Sequence, residues 1–246
     1  MSAKRRLDQL LVERGLADNP SRARALVMAG VVFVAGARAA KPGSQLAADA
    51  EITVRTKEYP WASRGGLKLA HALEHFALSP AGRIALDVGA STGGFTDVLI
   101  AHGATKVYAV DVGRAQLDWR LRQDSRVVVL EGVNARFLTR AEVPEAVGFI
   151  TCDASFIGLE TVLPAPMALS APEAALIALI KPQFEVGRAN VGKGGVVRDP
   201  ALHAGACERI QSWLATRPGW RVLGVVESPI KGPKGNTEFL IAATRG

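Results

Sequence analysis

Apolar positions in the first sixty residues follow two different periods. In "RLDQLLVERGL", Leu7, Leu10 and Leu11 recur at helical spacing, with Arg6 and Arg14 outside that stripe. "NPSRARALVMAG" then offers Asn19 as an N-cap, Pro20 at the first helical position, apolar Ala23, Leu26 and Val27, and Gly30 as a stop. Two short helices are predicted. The pattern next changes to the strand-like runs "VVFVAGARAAKPG" and "AEITVR", joined by Gly- and Pro-bearing turns. "RTKEYPWASRGG" has no period, carries Pro60 and a glycine pair, and reads as a linker. The expected organisation is a small α+β domain over 1–57, a linker over 58–66 and a larger domain over 67–246.

Beyond Gly82, short apolar runs alternate with helical patterns: "RIALDV", "KVYAVDV", "RVVVLE", "GFITCD" and "AALIALI". Such alternation predicts an α/β domain with a mostly parallel, doubly wound, Rossmann-like sheet. The last two runs, "RVLGVVES" and "EFLIAAT", follow each other without an intervening helix and are expected as an antiparallel pair at the sheet edge. Seven consecutive apolar residues in "AALIALI" imply a strand buried on both faces, yet it ends directly on Lys181. An ammonium at that place needs a charge partner or a chemical task.

Composition narrows the partners. The 246 residues are 48% hydrophobic and 22% charged, a soluble globular balance, and 30 Lys+Arg against 23 Asp+Glu leave +7 and a pI near 9.8. That excess favours a polyanion such as nucleic acid. No uninterrupted apolar stretch follows the basic N-terminus, and no run approaches the roughly 20 residues of a spanning helix, so a cytoplasmic protein without stable membrane insertion is expected. Cys152 and Cys207 cannot form a disulfide framework or a structural zinc site, and no HExxH or Cys/His cluster points to a metal.

"ALDVGASTGGFTDVL" joins a strand, a glycine turn and a helix start, the arrangement that brings backbone N–H groups up to a ligand. Position 91 is Ser, so the turn departs from the dinucleotide pattern G-x-G-x-x-G. Asp111 ends the next strand, where an acid can accept hydrogen bonds from ribose hydroxyls. An acid such as Asp87 beside the turn would repel phosphates but suit a cationic cofactor. D-x-G-x-x-x-G-G-F resembles motif one of the S-adenosylmethionine-dependent methyltransferases. The resemblance implies a cofactor set of Asp87, Gly89, Ser91, Thr92, Gly93, Gly94, Phe95 and Asp111, with Asn134 where that class contacts the adenine.

Lys68, Asp153, Lys181 and Glu238 stand at strand ends or in adjoining turns, the edge at which open α/β sheets bind ligands. Their order and context resemble the catalytic K-D-K-E set of the FtsJ family of ribose 2′-O-methyltransferases. In that chemistry a lysine takes the 2′-hydroxyl proton while its neighbours align the attack. The resemblance implies Lys181 as base, with Asp153 and Lys68 positioning it and Glu238 in support. "RLDQLLVERGLADNPSRARALVMAGVVFVAG" resembles the RNA-binding domain first recognised in ribosomal protein S-four, which implies RNA contacts at Arg5, Arg6, Arg22 and Arg24. Ala35 stands where that family often has Asn. With "SRGGLKL", "CDASFI", "KPQFE" and "GNTEFL", almost the whole chain is similar to the TlyA family. That similarity implies S-adenosylmethionine-dependent cytidine 2′-O-methylation, with ribosomal RNA or ribosomal subunits as partner. Two rivals are a membrane-lytic protein and an RNA-binding assembly factor with an inactive methyltransferase fold. Cys152, inside a strand, is expected as a packed residue and not a nucleophile.

Overall fold

The computed structural model describes residues 4–28, 30–54 and 59–246. Residues 55–58, where the period-free linker stretch begins, lie outside them. The chain divides into two compact units, Met1–Pro60 and Trp61–Gly246.

In the first unit β1 (Lys4–Arg6) leads into α1 (Leu7–Glu13), and α2 (Pro20–Met28) follows. Asn19 caps α2 as its sequence suggests, its Oδ1 accepting the Arg22 N–H at 2.8 Å. Of the remaining strands, β2 (Val32–Val34) pairs antiparallel with β3 (Ala37–Arg38) and with β5 (Ile52–Val54), while β4 (Gln45–Ala47) pairs with β1. Leu7, Leu10 and Leu11 meet Ala23, Val27, Val32 and Ile52 in one core, so the helical stripe is the buried face. The β2–β3 hairpin turns at Ala35 (φ 47°) and Gly36 (φ 77°), both left-handed. Two left-handed residues make a type I′ loop, whose backbone twist matches that of the flanking strands.

The second unit opens with α3 (Gly65–His75) and is built on β6 (Ile84–Val88), β7 (Lys106–Asp111), β8 (Val127–Glu131), β9 (Val147–Cys152), β10 (Ser170–Ile180), β11 (Trp220–Glu227) and β12 (Phe239–Arg245). These form one seven-stranded sheet in the order β11-β12-β10-β9-β6-β7-β8. Strands β6 to β10 are mutually parallel, and β12 runs antiparallel to both β10 and β11. The final strand is therefore inserted inside the sheet, and β11 takes the edge.

The uniform greasiness of β10 has a direct cause. Leu176, Ala178 and Ile180 enter one core layer, and Ala175, Ile177 and Leu179 the other, because successive side chains of a strand point to opposite faces. One layer is closed by α3 and α4 (Gly94–Ala101) through Leu69, Leu73, Val98 and Leu99. The other is closed by α6 (Leu159–Val162), α7 (Pro164–Ala168) and α9 (Pro200–Ala215) through Val162, Met167, Ile210 and Leu214. Short helices α5 (Trp119–Gln123) and α8 (Pro182–Glu185) complete the unit. The C-terminal ends of β6, β7, β9 and β10 share one edge, and the candidate chemistry gathers there.

Candidate active site

The glycine turn leaves β6 at Gly89 with φ 81°. A Cβ there would lie 2.9 Å from the Ala154 nitrogen, so only glycine lets the turn press against the loop after β9. The Asp153 N–H donates to the Val88 carbonyl at 2.9 Å and seals that approach. Asp111 secures the other side: Oδ2 accepts the Ser91 N–H at 2.8 Å and Oδ1 the Gly113 N–H at 2.7 Å. Between them opens a cavity of about 440 Å³ lined by Gly89, Ser91, Asp111, Asn134 and apolar Val133 and Ile157. Its lining among the described residues also holds Asp153 but no Lys or Arg, which fits a cation-bearing nucleoside and would serve a pyrophosphate poorly. Asn134 additionally caps a 3-10 turn by accepting the Arg136 N–H.

Asp87 stands at the end of β6 before the turn, as expected, but faces inward. It is wholly buried, does not line that cavity, and its carboxylate accepts the hydroxyls of Thr96 at 2.6 Å and Thr151 at 2.9 Å. Burial, against those two donors, pushes its carboxyl up to about 6. Asp87 braces the turn from beneath. The rest of the expected cofactor set also divides: Thr92, Gly94 and Phe95 border a second cavity, and Gly93 is packed against Leu117 and Leu121. Glu131, not singled out from sequence, orders the far lip by accepting the N–H groups of Ala115, Gln116 and Leu117. Arg122 and those amides hold its carboxyl down at about 2. Its signal is an acid at the end of the third parallel strand, which β-strand periodicity alone does not distinguish from a solvated end.

The second cavity, about 280 Å³, shares Gly89, Ser91, Asp153 and Ser155 with the first and adds Lys68 and Lys181. The four K-D-K-E residues are organised as two ion pairs. Lys68, buried on α3, donates to Glu238 Oε2 at 2.6 Å, and Glu238 is 1% exposed. Lys181, 7% exposed, lies 2.6 Å from Asp153 Oδ1 and donates to Ser155 Oγ at 2.8 Å and to the Asp153 carbonyl at 3.1 Å. Glu238 lines a third cavity of about 310 Å³, reached also by Lys181 and Ser155. Lys181 is thus the member common to both spaces beside the cofactor turn.

Glu185, in "KPQFE", is a further group that sequence reasoning passed over. Its Oε1 accepts the Leu159 N–H at 2.9 Å, supplying the cap that Gly158 cannot give α6, and its other oxygen pairs with Arg209. The turn after Lys181 is thereby tied to the loop carrying Asp153 and Ser155. Burial raises the Glu185 carboxyl above its ordinary range. Cys152 is buried, its thiol pushed up to about 12 chiefly by desolvation, which suits a packed residue and no nucleophile.

In the N-terminal unit, Arg5 pairs with Glu13, while Arg6 and Arg24 converge on Asp8 at 2.7 and 3.4 Å. Asp8 is only 2% exposed, and the Arg6 guanidinium leads in holding its carboxyl below the usual range. One buried carboxylate therefore gathers two arginines. Arg22 is exposed on α2 and has no ion pair among the described residues.

A profile of FtsJ-like methyltransferases matches residues 61–245, and one of the S4 domain matches residues 5–52. The chain is 47% identical, over 98% of its length and 90% of the relative's, to a 16S/23S rRNA (cytidine-2'-O)-methyltransferase TlyA of Mycobacterium tuberculosis. It is 38% identical to Hemolysin A of Brachyspira hyodysenteriae, over 96% of this chain and 98% of that one. A solved structure from Streptococcus thermophilus that carries a hemolysin name superposes with a TM-score of 0.74 at 40% identity, covering 100% of this chain and 90% of that one. An O-methyltransferase of Bacillus cereus, solved with S-adenosylhomocysteine, shares the fold at TM-score 0.52 and 20% identity, over 77% of this chain and 83% of that one. No helix among the described residues is long and apolar enough to cross a membrane. The chain belongs to the FtsJ-like methyltransferase family and, within it, to the TlyA family: an S-adenosylmethionine-dependent methyltransferase with an N-terminal RNA-binding domain.

Proposed function

We propose that this enzyme methylates the ribose 2′-hydroxyl of a cytidine in ribosomal RNA, with Lys181 as general base. The observation that carries the reading is the placement of Lys181 beside the Asp153 carboxylate, bordering the cavity that shares its wall with the cofactor cavity. S-adenosylmethionine supplies an electrophilic methyl on a sulfonium. Gly89, Ser91, Asp111 and Asn134 would hold it, the acid receiving its hydroxyls or ammonium.

A ribose hydroxyl is a weak nucleophile until its proton leaves, so the residues of this chain have two tasks. Lys181 accepts the proton, and the Asp153 carboxylate 2.6 Å away stabilises the ammonium that results. Lys68, neutralised at one side by Glu238, borders the same space and holds the incoming nucleotide at a fixed distance from the turn. Arg64 and Lys68 line that space as cations suited to the RNA backbone. The two arginines gathered by Asp8, with Arg22, supply phosphate contacts in the N-terminal domain and support ribosomal RNA as the acceptor.

The test is transfer of labelled methyl from S-adenosylmethionine to ribosome-derived RNA, followed by mapping of the ribose modification. Lys181→Ala is expected to lower kcat by about 10²- to 10⁴-fold, the usual contribution of a positioned base. A parent rate in that variant would remove Lys181 from the mechanism.

A further inference from the structure

We infer that Ser155 is a positioning residue for Lys181, aiming its lone pair at the acceptor hydroxyl; the inference rests on the reading of Lys181 as the base.

Three oxygens surround Lys181 Nζ: Asp153 Oδ1 at 2.6 Å, Ser155 Oγ at 2.8 Å and the Asp153 carbonyl at 3.1 Å. The charged lysine donates to the Ser155 hydroxyl and the Asp153 carbonyl, while Asp153 Oδ1 meets it as an ion pair without an aligned hydrogen bond. The neutral amine, the form that accepts a proton, keeps two N–H groups and one lone pair. A carbonyl oxygen can only accept and keeps its N–H group, and the carboxylate charge repels a lone pair, so the second N–H turns toward it. The lone pair is left facing the one remaining partner, Ser155. A hydroxyl both donates and accepts, so Ser155 alone among the three can bond Lys181 through either an N–H or the lone pair: it accepts from the ammonium and donates into the lone pair of the amine.

The place of Ser155 gives that bond a direction. It is exposed and borders the cofactor cavity, the Lys68 cavity and the third cavity at once. A lone pair turned toward Ser155 is therefore turned toward the open space in which an acceptor ribose must lie, where the incoming 2′-hydroxyl displaces the Ser155 proton from the lone pair and gives its own proton to the amine as its oxygen takes the methyl. The loop that presents Ser155 is anchored at both ends. Asp153 N–H is bonded to Val88 at one end, and Glu185 caps Leu159 at the other. Glu185 stands on the turn that follows Lys181, so base and serine are held in register by a buried carboxylate.

The experiment compares full-length Ser155→Ala, Ser155→Thr and Lys181→Ala in steady-state methyl transfer to ribosome-derived RNA, with S-adenosylmethionine binding by calorimetry and thermal melting alongside. Because Ser155 is exposed, both serine variants are expected to melt with the parent. Ser155→Ala is expected to lose about ten- to a hundredfold in kcat, the scale of one hydrogen bond to a charged group. Its KM for RNA and its cofactor affinity stay within a few-fold, and Ser155→Thr, which keeps the hydroxyl, recovers most of the rate. Parent kcat in Ser155→Ala, or a loss confined to cofactor affinity, overturns the inference while leaving Lys181 as base. Parent activity in Lys181→Ala instead overturns the reading beneath it.

Discussion

Asp87 shows how a single side chain can satisfy a motif while lining none of the cavities beside the turn. Read from the sequence, an acid beside a glycine turn suits a cationic cofactor; in the fold the same carboxylate is buried under the turn and occupied by two threonine hydroxyls. Its buried state has a measurable consequence. With a folded-state value of about 6 against an ordinary value of 3.8, the folded protein binds this proton more readily than the unfolded chain. The stability it contributes is fully present below pH 3.8 and is lost as pH rises to about 6. Two units correspond to about 3 kcal/mol as an upper scale. Between pH 4 and 6 the stability of the parent relative to Asp87→Asn is expected to fall and then level off, in denaturant titrations at each pH. A difference independent of pH would refute the assignment. Thr96 and Thr151, which turn inward here, could not be linked to Asp87 from sequence, since Thr151 lies on a different strand.

Among the elements, β10 and the β2–β3 hairpin were legible for opposite reasons. Seven apolar residues in a row admit few explanations other than a strand covered on both faces, and the two core layers bear that out. The hairpin is legible through its turn glycine, against a mismatch at the position before it. Ala35 sits at φ 47°, where a Cβ crowds the following carbonyl, and Asn is the side chain best suited to that position. Ala35→Asn is expected to stabilise the hairpin by about 1 kcal/mol. The readout is amide exchange on β2 and β5, slowed about fivefold; unchanged protection would mean that the turn carries no strain. The insertion of β12 between β10 and β11 was less legible. A strand sequence shows which residues alternate but not which neighbour its free N–H groups will find.

At the scale of the whole molecule, charge and domain content meet. The excess of 30 basic over 23 acidic residues calls for a polyanion, and the N-terminal domain offers the place. For each phosphate that the protein no longer neutralises, the slope of log affinity against log salt should shrink by about 0.7 to 0.9. Arg22→Ala with Arg24→Ala in the full chain is therefore expected to weaken binding to ribosome-derived RNA and to flatten its salt dependence by the equivalent of about two phosphates, with cofactor affinity unchanged. An unaltered slope would place the RNA-binding arginines elsewhere. The amino-acid order by itself determined the two-domain plan, the parallel sheet and the glycine turn, because each is written in local period or turn chemistry, while the K-D-K-E set came from the resemblance to the FtsJ family. Only the tertiary structure decided that this set divides into two ion pairs, that Asp87 is buried where Asp111 lines the cavity, and that Ser155 bonds Lys181 while Glu131 and Glu185 tie the neighbouring loops. Those interactions join strand ends and loops far apart in the chain, and their distances follow from packing, on which no local pattern reports.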